Sequence, residues 1–351
     1  MSVIENDTHL SGAVTSKTNA GRNILSADVG GTHARLAIVD VPNVSDRRAE
    51  IISYHKYSCA DFIGLEELIE FFLEGHLVSS INGISIATAG YLSEGRVINS
   101  NLKWGIEVNE IKKKFGFDAV NIINDFYALA YGIDHIDANV VEPLNGELTC
   151  NVSKPVLIIG AGTGFGASIR VPDSDGHLSV LDCEAGQISF APSAAIELEI
   201  LKVLMPENGH VPMETILSGP GLLTVYETLC QIHDSVPLLA EPADVADAAR
   251  AQSDAIAMQT MDVFCGALGS MTADLVLASG ASGGVYLAGG VLSRLSDIIR
   301  HNASFMTRFL NKGTMGPYLK NVPISLVEHG QLAVLGAAVD WKKKSSTEAF
   351  D

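Results

Sequence analysis

Basic residues are scarce. The 351-residue chain has 23 Lys and Arg against 41 Asp and Glu, a formal net charge of −18. Nucleic acid and anionic membranes need a cationic surface, so this balance argues against either as the main partner. It leaves room for a local anion site made from backbone N–H groups. Cysteine is sparse too: Cys59, Cys150, Cys183, Cys230 and Cys265 are odd in number, widely spaced and never arranged as CxxC. That pattern fits neither a disulfide framework nor a zinc site and points to a reducing cytosol. Glu5 and Asp7 stand where a secretion signal would be basic and then apolar, so a cytoplasmic location is expected. The most membrane-like stretch, 266–292, is interrupted by Asp274 and clustered Gly and Ser. It reads as a buried helix followed by a strand. What is plentiful is apolar material, 47% of the chain against 18% charged, enough for a large core and two domains.

Residues 1–22 are polar and aperiodic and read as a flexible tail. From Ile24 onward short apolar runs alternate with helical periodicity, which predicts an α/β protein. ILSADV and ARLAIVD read as strands joined by a tight glycine turn. Asp61 is expected to cap a helix through FIGLEELIEFFLEG, and Ser193 marks the start of another. Periodicity lapses over 134–154, around Pro143, Gly146 and Pro155, which suggests a domain boundary there. VLIIG and ASIRV then flank a second glycine turn. Strand, glycine turn, strand thus occurs near residue 24 and again near residue 156, and two related domains facing a cleft are the simplest source. A long helix is expected over 253–278, and LAVLGAAVDWKKK reads as a closing helix. Lys112–Lys114 and Lys342–Lys344 read as solvated helix faces.

Four groups of residues carry chemistry. Asp28–Val29–Gly30–Gly31–Thr32 sits at a hairpin tip: paired glycines allow close backbone approach, exposed N–H groups can hold an anion, and Asp28 can hold Mg²⁺ through water. Taken alone it could equally be an ordinary hairpin. Gly160–Ala161–Gly162–Thr163–Gly164–Phe165–Gly166 is the second. A dinucleotide fingerprint competes here, with Glu184 about 20 residues on as the ribose acid. That motif needs a helix after the glycines, whereas ASIRV is a β-type run leading to a polar turn at 173–176, so a phosphate-holding hairpin is preferred. Third, Asn124–Asp125 ends the strand AVNII and begins a helix, either as an N-cap or with Asp125 as a general base. Fourth, Glu184, Gln187 and Glu214, with Asn101 a weaker candidate, could form the carboxylate and amide array that binds sugar hydroxyls. A GxSxG match at Gly280–Gly284 precedes a strand rather than following one, which excludes a nucleophile elbow. A Walker A loop and an HExxH motif are absent.

DVGGTHARLA, IINDF, GAGTGFG, EAGQ-x-x-FAP, SGPGL and VYLAGG occur in this order. Together they resemble the bacterial ATP-dependent glucokinases over 24–342. The resemblance implies an α/β fold of two actin-like (ribonuclease-H-like) domains of related topology flanking a deep cleft. It implies a small domain over 23–135 joined by the C-terminal helix 331–345, and a large domain over 136–330. ATP would be held by Ala27, Asp28, Val29, Gly30, Gly31 and Thr32, by Gly162, Thr163, Gly164 and Gly166, and by Gly289 and Gly290 beside the adenosine. Asp125 matches the catalytic base, and Asn101, Asn124, Glu184, Gln187 and Glu214 match sugar ligands. Mg²⁺ would be held indirectly by Asp28. The family usually has His at the place of Gln187; Gln still donates and accepts but cannot become cationic, so the sugar preference is open. The cysteine-rich zinc motif of the related repressor-like kinases is absent. The reading implied is phosphorylation of glucose at its 6-hydroxyl. Another hexose (mannose or an N-acetylhexosamine), a non-catalytic sugar sensor and an actin-like ATPase are the alternatives. Glucose and ATP are the expected partners, with neither nucleic acid nor membrane, in a homodimer.

Overall fold

The computed structural model describes residues 21–43, 47–76, 80–93, 95–98, 102, 104–117, 120–135, 141–146, 153–173, 178–205, 209–327 and 330–347. Asn101, Cys150, residues 1–20 of the expected tail and most of the 173–176 turn lie outside them. The chain divides into two compact units, Met1–Ile136 with Gln331–Asp351, and Asp137–Gly330.

In the first unit, β1 (Arg22–Val29), β2 (His33–Val41), β3 (Glu50–Ser58), β4 (Gly83–Thr88) and β8 (Val120–Ile123) form one sheet in the order β3-β2-β1-β4-β8. Arg22, counted with the tail from sequence, is already in a strand. β1 pairs antiparallel with β2 and parallel with β4, which pairs parallel with β8. β4 is buried at every position, as expected for a central strand covered on both faces. β5 (Tyr91–Ser93), β6 (Arg96–Ile98) and β7 (Ile106–Glu107) make a small second sheet. Among the described residues of this stretch the α-helices are α1 (Leu65–Leu73), α2 (Val108–Phe115) and α3 (Asp125–Gly132). α1 does not begin at Asp61. Asp61 closes a short 3-10 turn capped by Ser58, and α1 starts after Gly64 without a side-chain cap. Glu67 instead reaches back to accept from the Ile63 N–H at 2.8 Å.

The second unit repeats the scheme. Its sheet contains β9 (Val141–Asn145), β10 (Val156–Ala161), β11 (Phe165–Pro172), β12 (Leu178–Cys183), β13 (Gly284–Ala288) and β14 (Ile324–Val327), in the order β12-β11-β10-β13-β14-β9. Three antiparallel strands are again followed by two parallel ones, and β9 is an added edge. β9 lies inside the stretch where periodicity lapses: its central Pro143 is tolerated because the strand is at the edge. α4 (Ala195–Leu204) is capped by Glu197, whose Oε2 accepts from the Ser193 and Ala194 N–H groups, rather than by the Ser193 side chain. α5 (Gly219–Ile232), α6 (Pro242–Arg250) and α7 (Ala255–Ser279) follow, then α8 (Gly290–Arg294), α9 (Ser296–His301), α10 (Ala303–Leu310) and α11 (Gly316–Leu319). Among the described residues α7 is the one helix long and apolar enough to cross a membrane, and 72% of its most apolar window is buried. It is the core helix expected here, beginning two residues later and ending one later, and capped by Asp254.

The closing helix, α12 (Leu332–Thr347), belongs to the first unit and packs most closely on α3. Glycines make the approach possible. A Cβ on Gly336 would collide with the Ala128 carbonyl, and one on Gly132 with the Leu332 carbonyl. Ser26 donates to the Val334 carbonyl at 2.7 Å. Lys342–Lys344 are not simply a solvated face. Lys343 donates to the Tyr131 hydroxyl at 3.1 Å, Lys344 pairs with buried Asp340 at 2.8 Å, and Lys342 donates to the Pro42 carbonyl. By contrast, Lys112, Lys113 and Lys114 are exposed as expected.

Candidate active site

The first glycine turn is held open. Val29 and Ala34 close the β1–β2 ladder, and the Gly30 N–H donates to the His33 carbonyl at 3.0 Å. At the tip, the Gly31 and Thr32 N–H groups have no partner among the described residues, and Thr32 is exposed. The turn is buttressed by the first residue after β3: the Cys59 N–H donates to the Thr32 carbonyl at 2.9 Å and the Cys59 thiol to the Gly30 carbonyl at 3.4 Å. Free N–H groups at a fixed tip are what an anion-binding concavity needs.

Behind the tip, Asp28 is 5% exposed. Its Oδ2 pairs at 2.9 Å with Nη1 of Arg35, directly opposite in the β1–β2 register. Nothing local in the sequence marks Arg35 as part of a site. Its position follows from counting across the turn: Val29 faces Ala34, so Asp28 faces Arg35. Arg35 Nε is buried with no hydrogen-bond partner. Among the described residues no three His, Cys, Asp or Glu side chains cluster as a metal cage. Asp28 is an oxygen donor of the kind Mg²⁺ accepts, directly or through water, at the base of this turn.

Asn124 and Asp125 sit at the same edge of the same sheet. The C-terminal ends of parallel β1, β4 and β8 align there, with Val29 opposite Thr88 and Ala87 opposite Ile123. The glycine tip and Asp125 are thus two strand spacings apart, about 10 Å. Asn124 caps α3, its Oδ1 accepting from the Phe126 and Tyr127 N–H groups at 2.8 and 3.1 Å. Asp125 Oδ1 also accepts from the Phe126 N–H, at 2.9 Å. The cap is real, and it holds the half-buried Asp125 carboxylate at the strand's end rather than competing with a role there.

The second unit gives the other glycine turn a matching place. Ala161 faces Phe165 across the ladder and the Gly162 N–H donates to the Gly164 carbonyl at 2.8 Å. The Thr163 and Gly164 N–H groups are unpartnered among the described residues. A strand follows the glycines, so the dinucleotide fingerprint is excluded. The C-terminal ends of β10 and β13 adjoin, Gly160 facing Ala288, which brings Gly289 and Gly290 beside the turn. Gly289 has φ +101°, and a Cβ on it would collide with the Ala161 carbonyl. The Gly219 N–H, at the start of α5, donates to the Gly162 carbonyl at 2.8 Å. Ser218 caps Gly221, and Pro220 has no N–H, so α5 props the turn instead of offering its own donors. Glu184 and Gln187 are exposed; Glu184 precedes and Gln187 ends a 3-10 turn, Ala185–Gln187. Glu214 is half-buried and bonded to the Phe165 N–H.

A protein-family model described as Glucokinase matches residues 25–344. A glucokinase-like protein of Xylella fastidiosa (strain 9a5c) is 38% identical over 326 residues, 93% of this chain and 96% of that one. A glucokinase of Saccharophagus degradans is 34% identical over 313 residues, 89% of this chain and 96% of its own. The solved glucokinase from an Antarctic psychrotroph is 32% identical with a TM-score of 0.76, covering 90% of this chain and 97% of that one. A ROK-family glucokinase from Streptomyces griseus, solved with glucose and AMPPNP, shares the fold at a TM-score of 0.59 and 21% identity, covering 90% and 98%.

Proposed function

Because the chain belongs to the glucokinase family, we propose that it transfers the γ-phosphoryl group of ATP to the 6-hydroxyl of glucose, giving glucose 6-phosphate and ADP. The observation that carries this reading is the shared sheet edge in the first unit, where unpartnered N–H groups at the glycine tip stand two strands from the Asp125 carboxylate. A phosphate-holding group and a proton acceptor at that separation suit a hydroxyl attacking a terminal phosphorus.

Asp125 accepts the 6-hydroxyl proton as the new O–P bond forms and the bond to the ADP oxygen breaks. The N–H groups and hydroxyls of Thr32 and Thr163 hold phosphate oxygens, and Gly289 and Gly290 leave room for the adenosine. Asn101, Asn124, Glu184, Gln187 and Glu214 bind sugar hydroxyls. When bound, Mg²⁺ supplies positive charge to the phosphates, and Asp28 is the acidic residue that would face it. Arg35 neutralises the same carboxylate from behind, which keeps a buried acid beside a phosphate site tolerable. The site suits a cytoplasmic enzyme, and the four described cysteines are free thiols. Gln187, where the family usually has His, leaves the sugar open between glucose, mannose and an N-acetylhexosamine.

A panel of sugars and phosphate donors on the purified protein tests this. ADP release that requires a hexose supports the kinase reading and identifies the sugar. Sugar binding without turnover would favour a sensor, and sugar-independent ADP release an actin-like ATPase.

A further inference from the structure

Phe165 is the first residue of β11 after the second glycine turn, and its N–H donates to Glu214 Oε2 at 2.8 Å across 49 positions of sequence. The same oxygen occupies the space a side chain at Gly164 would need: the atoms nearest a Cβ there all belong to the Glu214 carboxyl group. Gly186, in the turn between Glu184 and Gln187, has its missing Cβ 3.2 Å from that oxygen and 2.5 Å from the Phe165 carbonyl. Gly164 does not have a positive φ, so backbone conformation does not demand glycine at this position. A side chain there would have to displace the Glu214 carboxylate. Among the described residues Glu214 is the side chain bonded to this turn; its other support is the Gly219 N–H on the Gly162 carbonyl.

We propose that Glu214 is a positioning residue that clamps the second glycine hairpin in its phosphate-holding shape, and that Gly164 is glycine to admit this carboxylate. One oxygen fixes the hairpin and the other is left for a sugar hydroxyl, so a single side chain serves both halves of the chemistry. The link to nucleotide affinity rests on the kinase reading; the clamp itself does not.

The test is ATP binding without sugar, measured by isothermal titration on wild type, Glu214→Ala, Glu214→Gln, Gly164→Ala and the Glu214→Ala/Gly164→Ala double variant. A hydrogen bond to a charged group is worth about ten- to hundredfold in binding when it organises the site. Glu214→Ala and Gly164→Ala should each weaken ATP by about tenfold or more. Glu214→Gln keeps an acceptor oxygen for the Phe165 N–H and should stay within about threefold of wild type. Gly164→Ala should change affinity by less than about twofold in the Glu214→Ala background, where nothing remains for its methyl group to displace. Unchanged ATP affinity in Glu214→Ala, or equal damage by Gly164→Ala in both backgrounds, would overturn the proposal. Failure of wild type to bind ATP would instead overturn the kinase reading. Hydrogen exchange at the Phe165 amide then decides the clamp: slow in wild type and Glu214→Gln and fast in Glu214→Ala supports it, and equal rates contradict it.

Discussion

Asp125 admits two readings, helix N-terminus and proposed proton acceptor, and the geometry is compatible with both. Asn124 takes the capping bonds and Asp125 is left at the strand end with one oxygen on the Phe126 N–H. Replacing the acid by its amide keeps that bond but removes the base, so Asp125→Asn should lower kcat by about 10²–10⁴-fold. Sugar binding should largely survive, and more than half of wild-type turnover would end the assignment. Cys59 makes a second prediction at this scale. Burial, together with the Asp28 charge, pushes its thiol up to about 11, so at pH 8 only about one molecule in a thousand carries the reactive thiolate. Iodoacetamide should leave Cys59 unmodified in the native protein at that pH and label it after unfolding; rapid native labelling would contradict the buried contact with Gly30. Of these residues, Asp125 and the glycines were legible because strand ends and turns leave local signatures. Arg35 needed the hairpin register, and the Glu214–Phe165 bond leaves no local trace in the chain.

The elements most legible were those with one strong period or strong punctuation: β1, β2, β10, β11, α5 and α7. β3 and β12 have no buried position, so core packing imposes no clear apolar alternation on either. β9 carries a proline, and β5 to β7 are too short for periodicity to register. The Asp61 cap failed because a 3-10 turn intervenes and Glu67 satisfies the backbone instead. α12 shows what one element does for the site. It presses on α3, the helix that begins at Asp125, through Gly336 and Gly132. Gly336→Ala places a methyl group against the Ala128 carbonyl, an overpacking that costs about 1–3 kcal/mol. The melting temperature should fall, and an unchanged value would mean the helices are farther apart than described.

At the scale of the molecule, the duplication seen as two strand–turn–strand motifs extends to whole sheets: three antiparallel strands followed by two parallel ones in each unit. Each unit places its glycine turn after the first strand of that scheme, and each turn presents two N–H groups unpartnered among the described residues. This alters what the −18 charge means. An acidic protein can still hold a polyanionic nucleotide when neutral backbone donors do the holding, with hydroxyls and a metal ion in support. The most direct measurement is phosphorus NMR of the purified protein with glucose and Mg-ATP. The account predicts glucose 6-phosphate and ADP in equal amounts, with no ADP when glucose is left out. ADP without sugar phosphate, or no turnover with any hexose, would contradict it.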